Sequence, residues 1–182
     1  MTIRCYVSRV IKKKPIKKEI KKKRQYRIIH CSATPNNKEF TGQDIVNWHT
    51  WPKPKGNGWK QVGYELVIRR DGTVDRLVDD NGDNLVDPSE ITNGAQGINS
   101  ISSHVCLIGG YDAKGDPNLE MTKEQHNALV GIIKDDIVRQ QDIKIAGHYH
   151  FSTKTCPNFD VENWLKEIGV SKENIYKKQM RS

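Results

Sequence analysis

Short β-branched apolar runs alternate with stretches of helical periodicity along this chain, and that alternation restricts it to an α/β architecture. Tyr26–Cys31 is the first run. Tyr64–Arg69 and Thr73–Val78 form a strand pair about the turn Arg70-Asp71-Gly72-Thr73. His104–Gly109 and the shorter Lys144–Ala146 complete the set. Between them, Thr41-Gly42-Gln43-Asp44 offers an N-cap and a first-turn acid for a helix to about Trp51, which Pro52 and Pro54 end. Thr122-Lys123-Glu124-Gln125 is a capping box that opens a helix to about Gln140, with Leu129, Ile132, Ile133 and Ile137 as its apolar stripe. Asp160 caps a last helix with Trp164, Leu165 and Ile168 inward and Gly169 as its stop. The expected fold is α/β, a central mixed β-sheet flanked by helices. Residues 79–102 read as one long polar loop, of a length that usually carries function or disorder.

Charge divides the chain in two. The net charge is +8 over 182 residues, yet residues 1–24 carry eleven Lys/Arg against one acid, Glu19. The remaining 158 residues hold 19 basic and 21 acidic side chains, so the body is near neutral. This predicts a Lys-rich extension over 1–24 and a single folded domain over 25–182. Lysine repulsion favours an extended chain in the extension, with transient helix at Lys17–Lys23. Hydrophobic residues are 35% of the chain, and no apolar run approaches the roughly 20 residues of a spanning helix. The first apolar pieces, Cys5-Tyr6-Val7 and Val10-Ile11, are too short for a secretory signal and run into Lys12-Lys13-Lys14. Synthesis in the cytoplasm without a signal peptide is expected, as is a monomer.

Four cysteines are too few for a disulfide scaffold. Cys31 and Cys106 sit in apolar runs and read as buried thiols. Cys156 lies in a polar loop. His30 closes the first strand, His148 follows the strand Lys144–Ala146, and Cys156 comes eight positions later. Two imidazoles and a thiolate suit a catalytic Zn2+ with its fourth position open to water, whose pKa the metal lowers toward about 7. The spacing alone leaves two alternatives open. His30 is a core histidine in one, with His148 and His150 as loop residues; in the other His150 replaces His148, since alternate residues of an extended segment face opposite ways.

Five blocks in order resemble one family. They are Ile28-Ile29-His30-Cys31-Ser32-Ala33-Thr34, Val62-Gly63-Tyr64, Arg69-Arg70-Asp71-Gly72-Thr73-Val74, His104-Val105-Cys106-Leu107-Ile108-Gly109-Gly110, and Gly147-His148 through Thr153-Lys154-Thr155-Cys156-Pro157-Asn158-Phe159-Asp160. Together they resemble the zinc-dependent N-acetylmuramoyl-L-alanine amidases of type 2, the group of phage lysozyme-type endolysins and peptidoglycan recognition proteins. The resemblance spans about Arg27 to Trp164 and does not reach into residues 1–24. It implies zinc ligands at His30, His148 and Cys156, a catalytic tyrosine at Tyr64 and a catalytic lysine at Lys154. It implies hydrolysis of the amide between the N-acetylmuramic acid lactyl group and L-alanine in peptidoglycan. Lys154 would stabilise the charge that develops on the carbonyl oxygen, and Tyr64 would hydrogen-bond or relay a proton. One departure stands out: many members carry a histidine where this chain has Gly94, within Thr92-Asn93-Gly94-Ala95-Gln96-Gly97.

The remaining aromatic and imidazole groups read plainly. Trp48 is expected in the core, and Trp51 and Trp59 flank the Pro/Gly loop, where they can stack on sugar or peptide. His104 and His126 are expected to do nothing catalytic, with His126 solvated. Two other function classes compete with the enzyme. A peptidoglycan-binding protein without activity would lack the zinc cysteine, so Cys156 argues against it. A polymerase partner or nucleic acid is conceivable, but nothing in the sequence specifies either. Residues 9–24 suit anionic envelope polymers or a membrane surface. A phage endolysin released from the host cytosol by a holin-type protein fits this set, with a cytosolic wall-recycling amidase as the alternative.

Overall fold

The computed structural model describes residues 21–178. In chain order its elements are β1 (Lys22–Lys23), β2 (Tyr26–Cys31), β3 (Thr34–Pro35), α1 (Gly42–Thr50), β4 (Leu66–Ile68), β5 (Val74–Arg76) and β6 (Leu85–Val86). There follow β7 (Ser102–Leu107), β8 (Gly110–Tyr111), α2 (Lys123–Arg139), β9 (Lys144–Gly147) and α3 (Val161–Glu167). The main sheet has five strands in the order β5-β4-β7-β2-β9. β2 runs parallel to both β7 and β9, β4 runs parallel to β7, and β5 is antiparallel to β4. The sheet is therefore mixed, as expected. No helix of the described residues is long and apolar enough to cross a membrane.

Strand alternation sorts side chains to two faces. Ile29, Cys31, Val105, Leu107, Leu66 and Ile68 point to one face and pack with Leu129 and Ile133 of α2 and Trp164 and Leu165 of α3. Val67 and Cys106 point to the other and meet Ile45 of α1. His30 stands opposite Cys106, and Ile28 opposite His104, so both imidazoles belong to the α1 face. Thr41 and Thr122 cap α1 and α2 through capping boxes, and Asp160 caps α3. The α2 stripe is buried at Leu129 and Ile133, while Ile132 and Ile137 are half-buried.

A buried ion cluster ties the sheet to α2. Arg27 Nε and Nη2 donate to the two oxygens of Asp136 at 2.6 and 2.9 Å, and Nη1 donates to Glu65 at 3.1 Å. All three side chains are buried. Loss of one partner from such a cluster leaves an uncompensated charge and costs about 3–5 kcal/mol.

Three expectations are corrected. The β4–β5 pair is shorter than Tyr64–Arg69 and Thr73–Val78, because the N–H groups of Leu77 and Val78 converge on Glu65 O at 2.7 and 3.4 Å and end the regular ladder. His126 is half-buried rather than solvated, edge-on to Trp164 at 5.9 Å. Residues 79–102 are not structureless: Leu85–Val86 is a strand and Asn99–Ile101 a single 3-10 turn.

The strand β6 explains a further difference. Residues 21–24, read as part of the Lys-rich extension, pack onto the body. Lys22 and Lys23 pair with Val86 and Leu85, and neither is helical. Arg24 is 5% exposed, and its N–H donates to Asn84 O. The acids that attract them come from distant loops: Lys21 meets Asp83 and Asp87 at 3.3 and 3.0 Å, Lys23 pairs with Asp142, and Arg24 lies 3.5 Å from Asp80. The rest of the expected extension, Cys5 and most of the 9–24 segment included, lies outside the described residues.

Candidate metal centre

β2 and β9 are adjacent and parallel, so their C-terminal ends lie side by side. His30 is the penultimate residue of β2, and His148 opens a 3-10 turn immediately after β9. The loop beyond that turn folds back, with Tyr149 N–H donating to Cys156 O at 2.8 Å. Cys31 N–H then points at Cys156 Sγ from 3.4 Å. The result is that one nitrogen of His30, one of His148 and Cys156 Sγ all lie within 4.8 Å of one another. His30 Nδ1 is 3.8 Å from Cys156 Sγ.

His150 is not part of this group. Its Nδ1 lies 3.2 Å from Gly147 N and 3.1 Å from Gly147 O, and its Nε2 lies 3.2 Å from Glu162. Tyr64 is half-buried with its ring 4.9 Å from that of His30. Lys154 is exposed at the rim. Tyr64, His148 and Lys154 line two adjoining clefts. One, of about 320 Å³, also includes Cys31, Cys156 and Tyr111. The other, of about 450 Å³, includes Trp59, Gly94 and Phe151. Trp59 therefore faces the site, whereas Trp48 packs with Phe40 against the smaller core, as expected.

Two supporting histidines escaped the sequence reading. His49 Nδ1 accepts from Gly63 N–H at 3.1 Å, and its ring stacks on Trp59 and meets Tyr64 edge-on. It thereby holds the segment that carries Tyr64. His104 is fully buried, with Nδ1 3.0 Å from His30 Nε2 and Nε2 3.0 Å from Ser102 Oγ. His104 opens an apolar run, and no spacing in the sequence links it to His30.

Gly94 passes directly over the His104 ring. A Cβ there would lie 2.3 Å from His104 Nδ1, 2.5 Å from Cγ and 2.7 Å from Gly63 O. No side chain is accommodated at this position while His104 is in place.

Burial keeps the imidazoles neutral. It lowers His49 and His148 to about 4 and His104 to about 3. His30 is pushed well below its usual value, first by burial and then by His104, His148 and Lys154. Burial raises the Tyr64 phenol, helped by the neighbouring thiols. Cys156, beside the Cys31 thiol and largely buried, is held above the ordinary thiol range. Neutral imidazoles offer lone pairs to a soft or borderline divalent metal, and the Cys156 thiol would give up its proton on binding one.

Comparison with known proteins places the chain in a family. Residues 21–159 match the family model of N-acetylmuramoyl-L-alanine amidase. The chain belongs to this family. The endolysin of Enterobacteria phage K11 is 37% identical over 138 residues, which cover 76% of this chain and 83% of that protein. The endolysin of Klebsiella phage KP32 is 35% identical over 139 residues, with the same coverage of 76% and 83%. Among solved structures, N-acetylmuramoyl-L-alanine amidase LysC from Clostridium intestinale URNW superposes with a TM-score of 0.63 at 23% identity, over 82% of this chain and 88% of that one. Drosophila PGRP-LB superposes with a TM-score of 0.56 at 23% identity, over 75% of each chain. These two likenesses establish the shared fold.

The lowered imidazole pKa values predict a pH dependence of stability in the chelator-treated protein. His30, His49, His104 and His148 stay neutral in the fold but titrate near 6.5 when unfolded. The unfolded chain thus binds more protons below about 6.5, and stability falls as pH drops toward 4.5. Glu65, raised to about 7 by burial against the pull of Arg27, acts in the opposite direction. Four groups outweigh one. Urea midpoints taken at pH 7, 6 and 5 should therefore decrease in that order, and a flat or rising series contradicts the reading.

Proposed function

We propose that this chain is a zinc-dependent endolysin that cleaves the amide between N-acetylmuramic acid and L-alanine of peptidoglycan. The observation that carries the proposal is the convergence of His30, His148 and Cys156 beneath a rim bearing Tyr64 and Lys154. The donor set fits zinc: tetrahedral zinc ligated by nitrogen and sulfur spaces those two atoms about 3.6 Å apart, against 3.8 Å between His30 Nδ1 and Cys156 Sγ. His30, His148 and Cys156 would hold the metal. When bound, zinc supplies Lewis acidity toward a carbonyl oxygen and makes water a nucleophile near neutral pH.

The chain's own residues do the rest. Cys31 N–H favours the Cys156 thiolate, the form a metal requires. Lys154, an ammonium at the junction of both clefts, stabilises the negative charge that grows on the scissile carbonyl oxygen. Tyr64 keeps its proton and so acts as a hydrogen-bond donor beside the reacting carbonyl, and it can relay a proton to the leaving amine only by taking one up from the attacking water in the same step. Two clefts meeting at Tyr64, His148 and Lys154 suit a substrate that extends both ways from its scissile bond, with Trp59 offering a stacking face in one arm. The endolysin reading follows the phage relatives, and release across the host membrane by a separate holin-type protein is proposed with it.

Mass spectrometry of digested muropeptides tests the bond and the metal together. The expected products are intact stem peptides with a free L-alanine amine, lost on chelation and lost by at least about 10²-fold in Cys156→Ser. Glycan cleavage products, or activity that survives chelation, would overturn the proposal.

Residues 9–20 are further proposed to draw the enzyme to anionic envelope polymers, since Lys21, Lys23 and Arg24 are already matched by acids of the body. A chain that begins at Lys21 should then lyse whole cells more slowly than the full chain at low salt and equally fast at high salt. Equal rates at low salt would remove this role.

A further inference from the structure

Two features stand outside the amidase chemistry described above. One is a third imidazole buried against His30, and the other is a glycine where the family resemblance places a histidine. We propose that His104 is a positioning residue that fixes the tautomer and orientation of His30, and that residue 94 is glycine because the His104 ring fills the space of any side chain there. This rests on the proposed ligand role of His30.

One group beside His104 has only one hydrogen-bonding option. Ile98 O is a backbone carbonyl and can only accept. Ser102 Oγ lies 2.8 Å from it, and the hydroxyl spends its single proton there. Ser102 Oγ must therefore accept on its other side, and the group facing it is His104 Nε2 at 3.0 Å. A neutral imidazole that donates from Nε2 accepts at Nδ1. His104 Nδ1 lies 3.0 Å from His30 Nε2, so His30 Nε2–H is the donor and His30 Nδ1 carries the bare lone pair. That bare nitrogen is the atom 3.8 Å from Cys156 Sγ. Three consecutive hydrogen bonds thus present a lone pair where a metal ligand needs one. The opposite His30 tautomer would aim a proton at the ligand position and set two lone pairs against each other at His104.

His104 is itself clamped. Its N–H donates to Glu65 Oε2 at 2.9 Å, its carbonyl accepts from Glu65 N–H at 3.1 Å, and Glu65 is held by Arg27. Its ring is closed in by Gly94, where an added Cβ would strike the ring and the Gly63 carbonyl together. Neither obstacle is the loose end of a flexible side chain. The imidazole comes from β7 rather than from the loop, and the loop gives up its side chain to admit it.

The test has one arm without mutation. Long-range nitrogen-15 NMR of the metal-free full chain should show His30 protonated at Nε2 and bare at Nδ1, and the reverse tautomer overturns the proposal. The second arm measures zinc affinity by competition with a chromophoric chelator, with far-UV circular dichroism confirming the fold. His104→Leu matches Asn in shape but has no acceptor, and should bind zinc about 10–100-fold more weakly. His104→Asn places Oδ1 where Nδ1 stood and should recover most of that loss. Equal losses in the two variants overturn the proposal. Parent-like affinity in His104→Leu overturns the positioning role alone, whereas a parent chain that binds no zinc overturns the ligand assignment and this proposal with it.

Discussion

The parallel pairing of β2 between β7 and β9 is the constraint from which the rest of the structure follows. Parallel neighbours end on the same edge of a sheet, so the chain leaves β2 and β9 side by side. That places His30 and His148 next to each other although 118 positions separate them in the sequence. Cys156 then needs only a short returning loop, which the Tyr149–Cys156 and Cys31–Cys156 contacts hold. Because both faces of β2 and β7 are covered, their side chains are almost wholly inaccessible, and the first imidazole of the cluster sits on a rigid support.

Beneath the cluster lies a polar layer that an apolar core would not provide. Asp136, Arg27, Glu65, His104 and Ser102 form a connected set from α2 through the sheet to the back of His30. Burying so many polar groups costs free energy unless each is matched. Here the matches are close, and they return orientation: the His30 imidazole has one hydrogen-bond partner behind it and one direction to point. The neutral state of these histidines follows from the same burial.

Much of this was legible in the sequence because it is local. The capping boxes at Thr41 and Thr122 and the apolar stripe of α2 are patterns within a few residues, and they mark elements that the structure contains. His30 and His148 stand at strand ends and Cys156 in a polar loop; spacing alone left His148 and His150 as alternatives, the family resemblance pointed to His148, and the structure brings ligand atoms of His30, His148 and Cys156 within 4.8 Å of one another. What escaped was non-local. His104 meets His30 across 74 positions and Arg27 meets Asp136 across 109. Lys22–Arg24 read as part of the Lys-rich extension because the acids that neutralise its neighbourhood sit at positions 80, 83, 87 and 142. Gly94 was only a departure from the family resemblance until the His104 ring beneath it was placed.

The chemistry of the site rests on the composition of the metal shell. X-ray absorption spectroscopy at the zinc edge of the loaded protein measures it directly. The geometry predicts two imidazole nitrogens at about 2.0–2.1 Å and one sulfur at about 2.3 Å, with a single light atom completing the shell. A shell without sulfur, or one with two sulfurs that draws in Cys31 and closes the open position, would contradict it.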